Sequence, residues 1–179
     1  EYVNLLLQEK YQHQLEEWTG LTCSDIVFDS TVDNWSQPKV LNKRIIGKKQ
    51  LVFLFEDEDN EIFGYYLNTE IIEEYWKFNE TDEKSFHFTM KTKDERLEKP
   101  MKFEIKDLKW GGYALLEKSH VWLISLGNIN LYKENKKNES YCLQSKSYFN
   151  YHEIENALCG KITCRNPYTK KRILVIQMK

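Results

Sequence analysis

The run Glu56–Asn60 sets four acids and an asparagine between two apolar stretches, and Glu61 follows directly. Acids at that density suggest a hard-cation loop or a catalytic carboxylate pair. An EF-hand calcium loop needs oxygen ligands at alternate positions, glycine at the sixth and glutamate at the twelfth. Counted from Asp57, Asp59 and Glu61 fit, but Ile62 and Asn68 occupy the sixth and twelfth places. The flanks also read as strands where such a loop needs helices. A catalytic pair needs acids converging from separate elements into a pocket, whereas neighbours on one tip point into water. The run is therefore expected to be a solvated hairpin turn.

The thiols come next. Cys159 and Cys164 follow Cys142 and His152 in the chain. A closed zinc site needs two tight ligand pairs, and the spacing from Cys142 to His152 is too wide for one. A Cys/His nucleophile pair is formally open, while buried, inert thiols are commoner. Gly111 and Gly112 precede a strand and do not join a strand to a helix, so they make no phosphate-binding loop. Three basic clusters stand out: Lys43, Arg44, Lys48 and Lys49; Lys136 and Lys137; and Lys170, Lys171 and Arg172. With Tyr132, Tyr141 and Tyr168 nearby they could form a nucleic-acid or phospholipid face. Net charge of −2 and a pI near 6.2 favour the simpler reading of solvated loops. No cofactor is expected.

The 179 residues fit one domain with a helical appendage. Four cysteines at irregular spacing are too few for a disulfide scaffold, which favours reduced thiols and a cytoplasmic or nuclear location. No apolar run reaches the roughly 20 residues of a membrane helix, so membrane insertion is not expected. No secretory leader is visible, and the sequons at Asn34, Asn79 and Asn138 read as chance. The chain opens at Glu1 without methionine and reads as a piece of something longer.

Hydrophobic spacing gives the elements. Val3, Leu7, Tyr11, Leu15 and Trp18 recur at helical intervals, so 1–19 is expected to be a helix with one apolar stripe. The stripe fits either the end of a coiled coil or a helix docked on its own domain. Residues 25–30 read as a strand. Ser36 is expected to cap a helix starting near Pro38 and stopped by Gly47. Residues 50–55 and 61–67 are continuous apolar runs, suited to buried strands joined as a hairpin. Residues 68–78 read as a helix with Ile71, Ile72, Tyr75 and Trp76 on one side. Strands are expected at 85–90 and 101–108, with a charged loop between, then as three short strands from 113 to 134 and a strong last one in "KRILVIQM". The fold class is α+β, mainly β: a two-sheet antiparallel β-sandwich with flanking helices.

The order of features over 25–68 resembles the TLDc domain, the family of oxidation-resistance and vacuolar-ATPase-associated proteins. Asp29-Ser30 ends a strand, a loop and helix follow, and a buried strand and acidic turn lead to Phe63-Gly64 and aromatics. "KSFHFTM", "GGYALLE" and "ESYCLQS" look like later segments of that family, while "NALCGK" and "KRILVIQM" look closest to divergent TLDc-like proteins of amoeboid protists. The resemblance covers about residues 20–179. It implies a β-sandwich, no established enzyme activity, and roles in oxidative-stress protection and in binding the vacuolar proton ATPase. In those terms Gly64 looks like the family's glycine after phenylalanine, Gly111 and Gly112 like its glycine pair, and Cys142 like the cysteine proposed for peroxide defence. Departures are Gln144 and Ser145 in place of a Thr-Phe pair, an offset Glu70 lacking the family's following proline, and a shortened glycine run.

Three functions follow as expectations. The leading one is a non-enzymatic interaction module in the oxidative-stress response that binds the vacuolar ATPase through Gly64, Glu70, Gly111 and Gly112, with self-association through the first helix. The others are a DNA-binding regulator of stress genes using the basic clusters, and a peroxide scavenger using Cys142.

Overall fold

The computed structural model describes residues 9–92, 100–117, 122–134, 140–155, 157–159 and 170–179. Among them the order is α1 (Glu9–Thr19), β1 (Cys23–Asp29), α2 (Pro38–Ile45), β2 (Leu51–Asp57), β3 (Ile62–Leu67), β4 (Phe86–Lys91), β5 (Met101–Glu104), β6 (Tyr113–Leu115), β7 (Trp122–Leu126), β8 (Ile129–Tyr132), β9 (Tyr141–Cys142) and β10 (Lys170–Met178). They form two antiparallel sheets, one of six strands ordered β1-β10-β2-β3-β4-β5 and one of four ordered β6-β7-β8-β9. The protein is thus mainly β with two helices among the described residues. None of its described helices is long and apolar enough to cross a membrane.

Both faces of the six-stranded sheet are covered, and β2 shows how. Alternate side chains of a strand point to opposite faces. Leu51, Phe53 and Phe55 join one hydrophobic cluster, which also holds Tyr113, Leu123, Ile124 and Leu131 of the second sheet. Val52 and Leu54 join another cluster, with Tyr11 and Leu15 of α1. β10 behaves alike, with Ile173 and Val175 on the first side and Leu174, Ile176 and Met178 on the second. This explains why both runs read as continuously apolar.

The described part of the α1 stripe is spent within the chain. Tyr11 and Leu15 are buried on the sheet, and Trp18 lies against Phe86 and Phe88 with ring centroids 5.9 Å away. Docking, rather than an open seam, is what Tyr11, Leu15 and Trp18 do; Val3 and Leu7 lie outside the described residues. Gly20 ends the helix at φ +71, and its N–H bonds the Glu16 carbonyl.

Two local expectations fail. Residues 68–78 form no helix. Their backbone groups bond elsewhere: Gly47 N–H to the Ile71 carbonyl, Ile71 N–H to Lys48, Trp76 N–H to Leu115 and Asn79 N–H to Tyr113. The segment runs extended beside β6 with bridges Tyr75↔Leu115 and Asn79↔Tyr113. Ser36 does not cap α2 either. Gln37 occupies the cap position without a side-chain bond, and Ser36 instead gives its N–H and O–H to Asn34 Oδ1. Proline in the first turn and the buried Leu41 and Ile45 hold this helix.

Candidate functional site

The second sheet has one face on the core and one outside. Ile129, Leu131 and Cys142 point inward, so alternation sends Asn130, Tyr132 and Tyr141 the other way. Trp122 joins them, its ring centroid 4.5 Å from Tyr132 and 6.0 Å from Tyr141. A solvent-side sheet face is normally polar; this one is aromatic at one end. The extended segment 75–79 adds a second wall, where Trp76 is 60% exposed and Phe78 packs on Trp110 at 5.5 Å. Between the walls lies a groove of about 370 Å³, with Ser125 and Asn130 on its floor and Leu143 at its rim. Leu143 and Trp110 are also exposed. Trp76 has φ +64, a left-handed conformation that is costly for a bulky side chain. Its N–H to the Leu115 carbonyl, 2.9 Å, holds it there.

The acidic turn is solvated only at its tip, where Glu58 and Asn60 are exposed. Asp57 is fully buried, and Glu56 and Glu61 nearly so. Asp57 Oδ1 accepts the N–H groups of Asp59 and Glu61 at 3.0 and 2.9 Å, which curls the loop back over its own first acid. Lys171 bonds Glu56 and Asn60, and Thr92 donates to Glu61. The acids at the base of the turn are therefore held against β10 and the residue after β4. Carboxylate oxygens of Asp57, Asp59 and Glu61 all lie within 4.8 Å of one another. Burial raises the Asp57 pKa to about 7; the Glu61 carboxylate adds to the rise, and the two N–H bonds oppose it. An acid raised on folding costs stability as pH climbs from its unfolded value, near 4, to its folded one, and the loss levels off above. Asp57→Asn should therefore raise Tm by roughly 4 °C at pH 8 and leave it unchanged at pH 4, as differential scanning fluorimetry across that range would read.

A second buried polar group lies between the sheets. His87 Nε2 donates to the Leu126 carbonyl at 3.0 Å, so Nδ1 is left to accept the Tyr151 hydroxyl at 2.8 Å. Its ring stacks on Phe149, centroids 3.7 Å apart. Burial drives the His87 pKa down to about 3, the Leu126 bond opposing it. A neutral imidazole with both nitrogens engaged ties β4 to the end of β7 and to Tyr151.

The residues singled out in the sequence fall in several places. Gly64 sits at the centre of β3, where an added Cβ would overlap the Phe53 carbonyl and meet Phe88 at 2.7 Å. Gly111 gives its carbonyl to the Tyr65 hydroxyl at 2.8 Å, and a Cβ on Gly112 would overlap the Asn79 carbonyl. These three are packing positions; Glu70 is exposed. Cys142 is buried beside Cys159. Three of the basic residues are engaged: Arg172 pairs with Asp29 in the interior, Lys171 with Glu56 and Arg44 with Asp33. Lys43, Lys48 and Lys49 are on or just after α2. Lys170 begins β10, while Lys136, Lys137, Cys164 and Tyr168 lie outside the described residues. The groove aromatics Trp76, Phe78, Trp122 and Tyr141 were not singled out together. The alternation of "INLY" held the available signal, placing Tyr132 opposite Ile129 and Leu131.

No protein-family model and no curated protein matches the chain.

Proposed function

We propose that the protein is a non-enzymatic interaction module and that the aromatic groove on the four-stranded sheet is its contact surface. The observation that carries this reading is the exposed Trp76 facing Trp122, Tyr141 and Leu143 across an apolar trough. Exposed aromatics clustered around a concave surface are typical anchors for a protein partner. We further read the two sheets, which share one core cluster, as a sandwich of the TLDc type. The partner that this resemblance implies is the vacuolar proton ATPase, in an oxidative-stress setting. The basic clusters lend less to a DNA-binding role, because Arg172, Lys171 and Arg44 are held by acids of their own chain.

The test is an affinity capture with purified vacuolar ATPase, using wild-type protein and a Trp76→Ala/Trp122→Ala double variant. Binding by the wild type and at least a tenfold loss in the variant, about 1.4 kcal/mol, is expected. Equal binding by both proteins removes the groove from the reading, and no binding by either removes this partner.

A further inference from the structure

We propose that Cys142 and Cys159 form a dithiol site that closes to a cystine by exchange with small disulfides. The two sulfurs are already in contact, Sγ to Sγ 3.3 Å, and both residues carry thiols. A disulfide bond is about 2.05 Å long, so closure asks the sulfurs to approach by only about 1.2 Å. The residues come from different parts of the chain. Cys142 is the inward side chain of β9, and Cys159 lies in the stretch after Tyr151, outside any described strand or helix. Their meeting is a product of the fold, not of sequence adjacency. This inference stands apart from the groove and from its partner.

Access comes through the edge of the sheet. β9 is two residues long and last in its sheet. Its pairing to β8 consists of Ile129↔Cys142 and Asn130↔Tyr141, extended by Leu143 N–H to the Asn128 carbonyl. Short edge elements open locally far more readily than the whole protein unfolds. The exposed Leu143 beside Cys142 marks where solvent begins.

The chemistry balances with one co-reactant. After local opening, the Cys142 thiolate attacks one sulfur of a small disulfide and bonds to it, while the other sulfur leaves as a thiolate and takes up the proton that Cys142 has lost. The mixed disulfide brings the second small thiol beside Cys159. The Cys159 thiolate then attacks the Cys142 sulfur and expels that second thiol, which takes the Cys159 proton. Two protein thiols lose two electrons, and one small disulfide becomes two thiols. Opening of β9 is a rapid equilibrium that precedes attack, so the rate rises with the open population and, through the thiolate fraction, with pH.

The experiment is incubation of the whole chain with oxidised glutathione, acid quench, alkylation and peptide mapping by mass spectrometry. A linked Cys142–Cys159 peptide, reversed by dithiothreitol, is expected. The oxidised protein should melt roughly 5 °C higher, because the bond closes a loop across 17 positions. In Cys159→Ser the second attack is impossible, and a glutathione adduct should be trapped on Cys142. Cys23→Ser should behave as wild type. Alkylation of both Cys142 and Cys159 after prolonged oxidation would overturn the proposal, as would linkage of either to Cys23 or Cys164. The wild-type map decides the matter even if the serine variants fold poorly.

Discussion

Gly64→Ala should cost the protein about 3 kcal/mol or more, lowering Tm by roughly 6–12 °C. The position lies at the middle of the β2–β3 hairpin, paired with Leu54, in the interior of the six-stranded sheet. The new methyl would overlap the Phe53 carbonyl and press on Phe88 at 2.7 Å. Phe88 is itself packed against Trp18 and Phe86. The backbone carbonyl cannot move without breaking register between β2 and its two neighbours. A contrast variant separates this from ordinary glycine effects. Gly20 has φ +71 but nothing within 4 Å of an added Cβ, so Gly20→Ala pays only for the left-handed backbone, about 1 kcal/mol. Equal losses at the two positions, measured by chemical denaturation, would contradict the packing explanation.

The second large effect is expected at Arg172. Its Nη2 lies 2.7 Å from Asp29 Oδ2 and its Nε 3.2 Å from Oδ1, a bidentate pair with both side chains under a tenth exposed. Arg172→Met should destabilise by about 3–5 kcal/mol, because it strands the Asp29 carboxylate in the interior. Adding Asp29→Asn should recover part of that loss. Burial alone would raise the Asp29 pKa, but the Arg172 guanidinium and the N–H and hydroxyl of Thr31 outweigh it and hold it below its ordinary value. The sign follows. An acid lowered on folding contributes stability above its unfolded pKa, and that contribution disappears as pH falls through the folded value. The wild type should therefore lose stability below about pH 4 more steeply than the double variant. Parallel acid limbs in urea titrations would rule out this role for the pair.

Strands with strong alternation were legible in the sequence, and so was their pairing as a hairpin. β2, β3, β4 and β10 carry β-branched and aromatic residues on both faces or in strict period, and no local bond competes with the sheet. The segment 68–78 was not legible, because Ile71, Ile72, Tyr75 and Trp76 sit at intervals a helix also favours. What decides it is distant: Lys48, Tyr113 and Leu115 take up its backbone groups. The acidic turn misled for a related reason. A turn rich in carboxylates is solvated if left alone, and Glu58 and Asn60 are exposed, but Lys171 of β10 and Thr92 after β4 hold Glu56 and Glu61 inward. β9, with two residues, is too short for any period to register. The groove aromatics belong to three separate stretches of sequence, so only the fold assembles them.

The position of β10 between β1 and β2 has a bearing on biosynthesis. During translation β1 emerges early but has no partner until residues 170–178 leave the ribosome, and β2 must wait with one edge bare. The nascent chain therefore exposes two apolar strand edges from the emergence of β2 until β10 follows, a state prone to mispairing. Chaperone demand should concentrate in that interval, and ribosome-bound chains stalled before residue 170 should be captured by holdases while chains stalled well beyond residue 178 escape them.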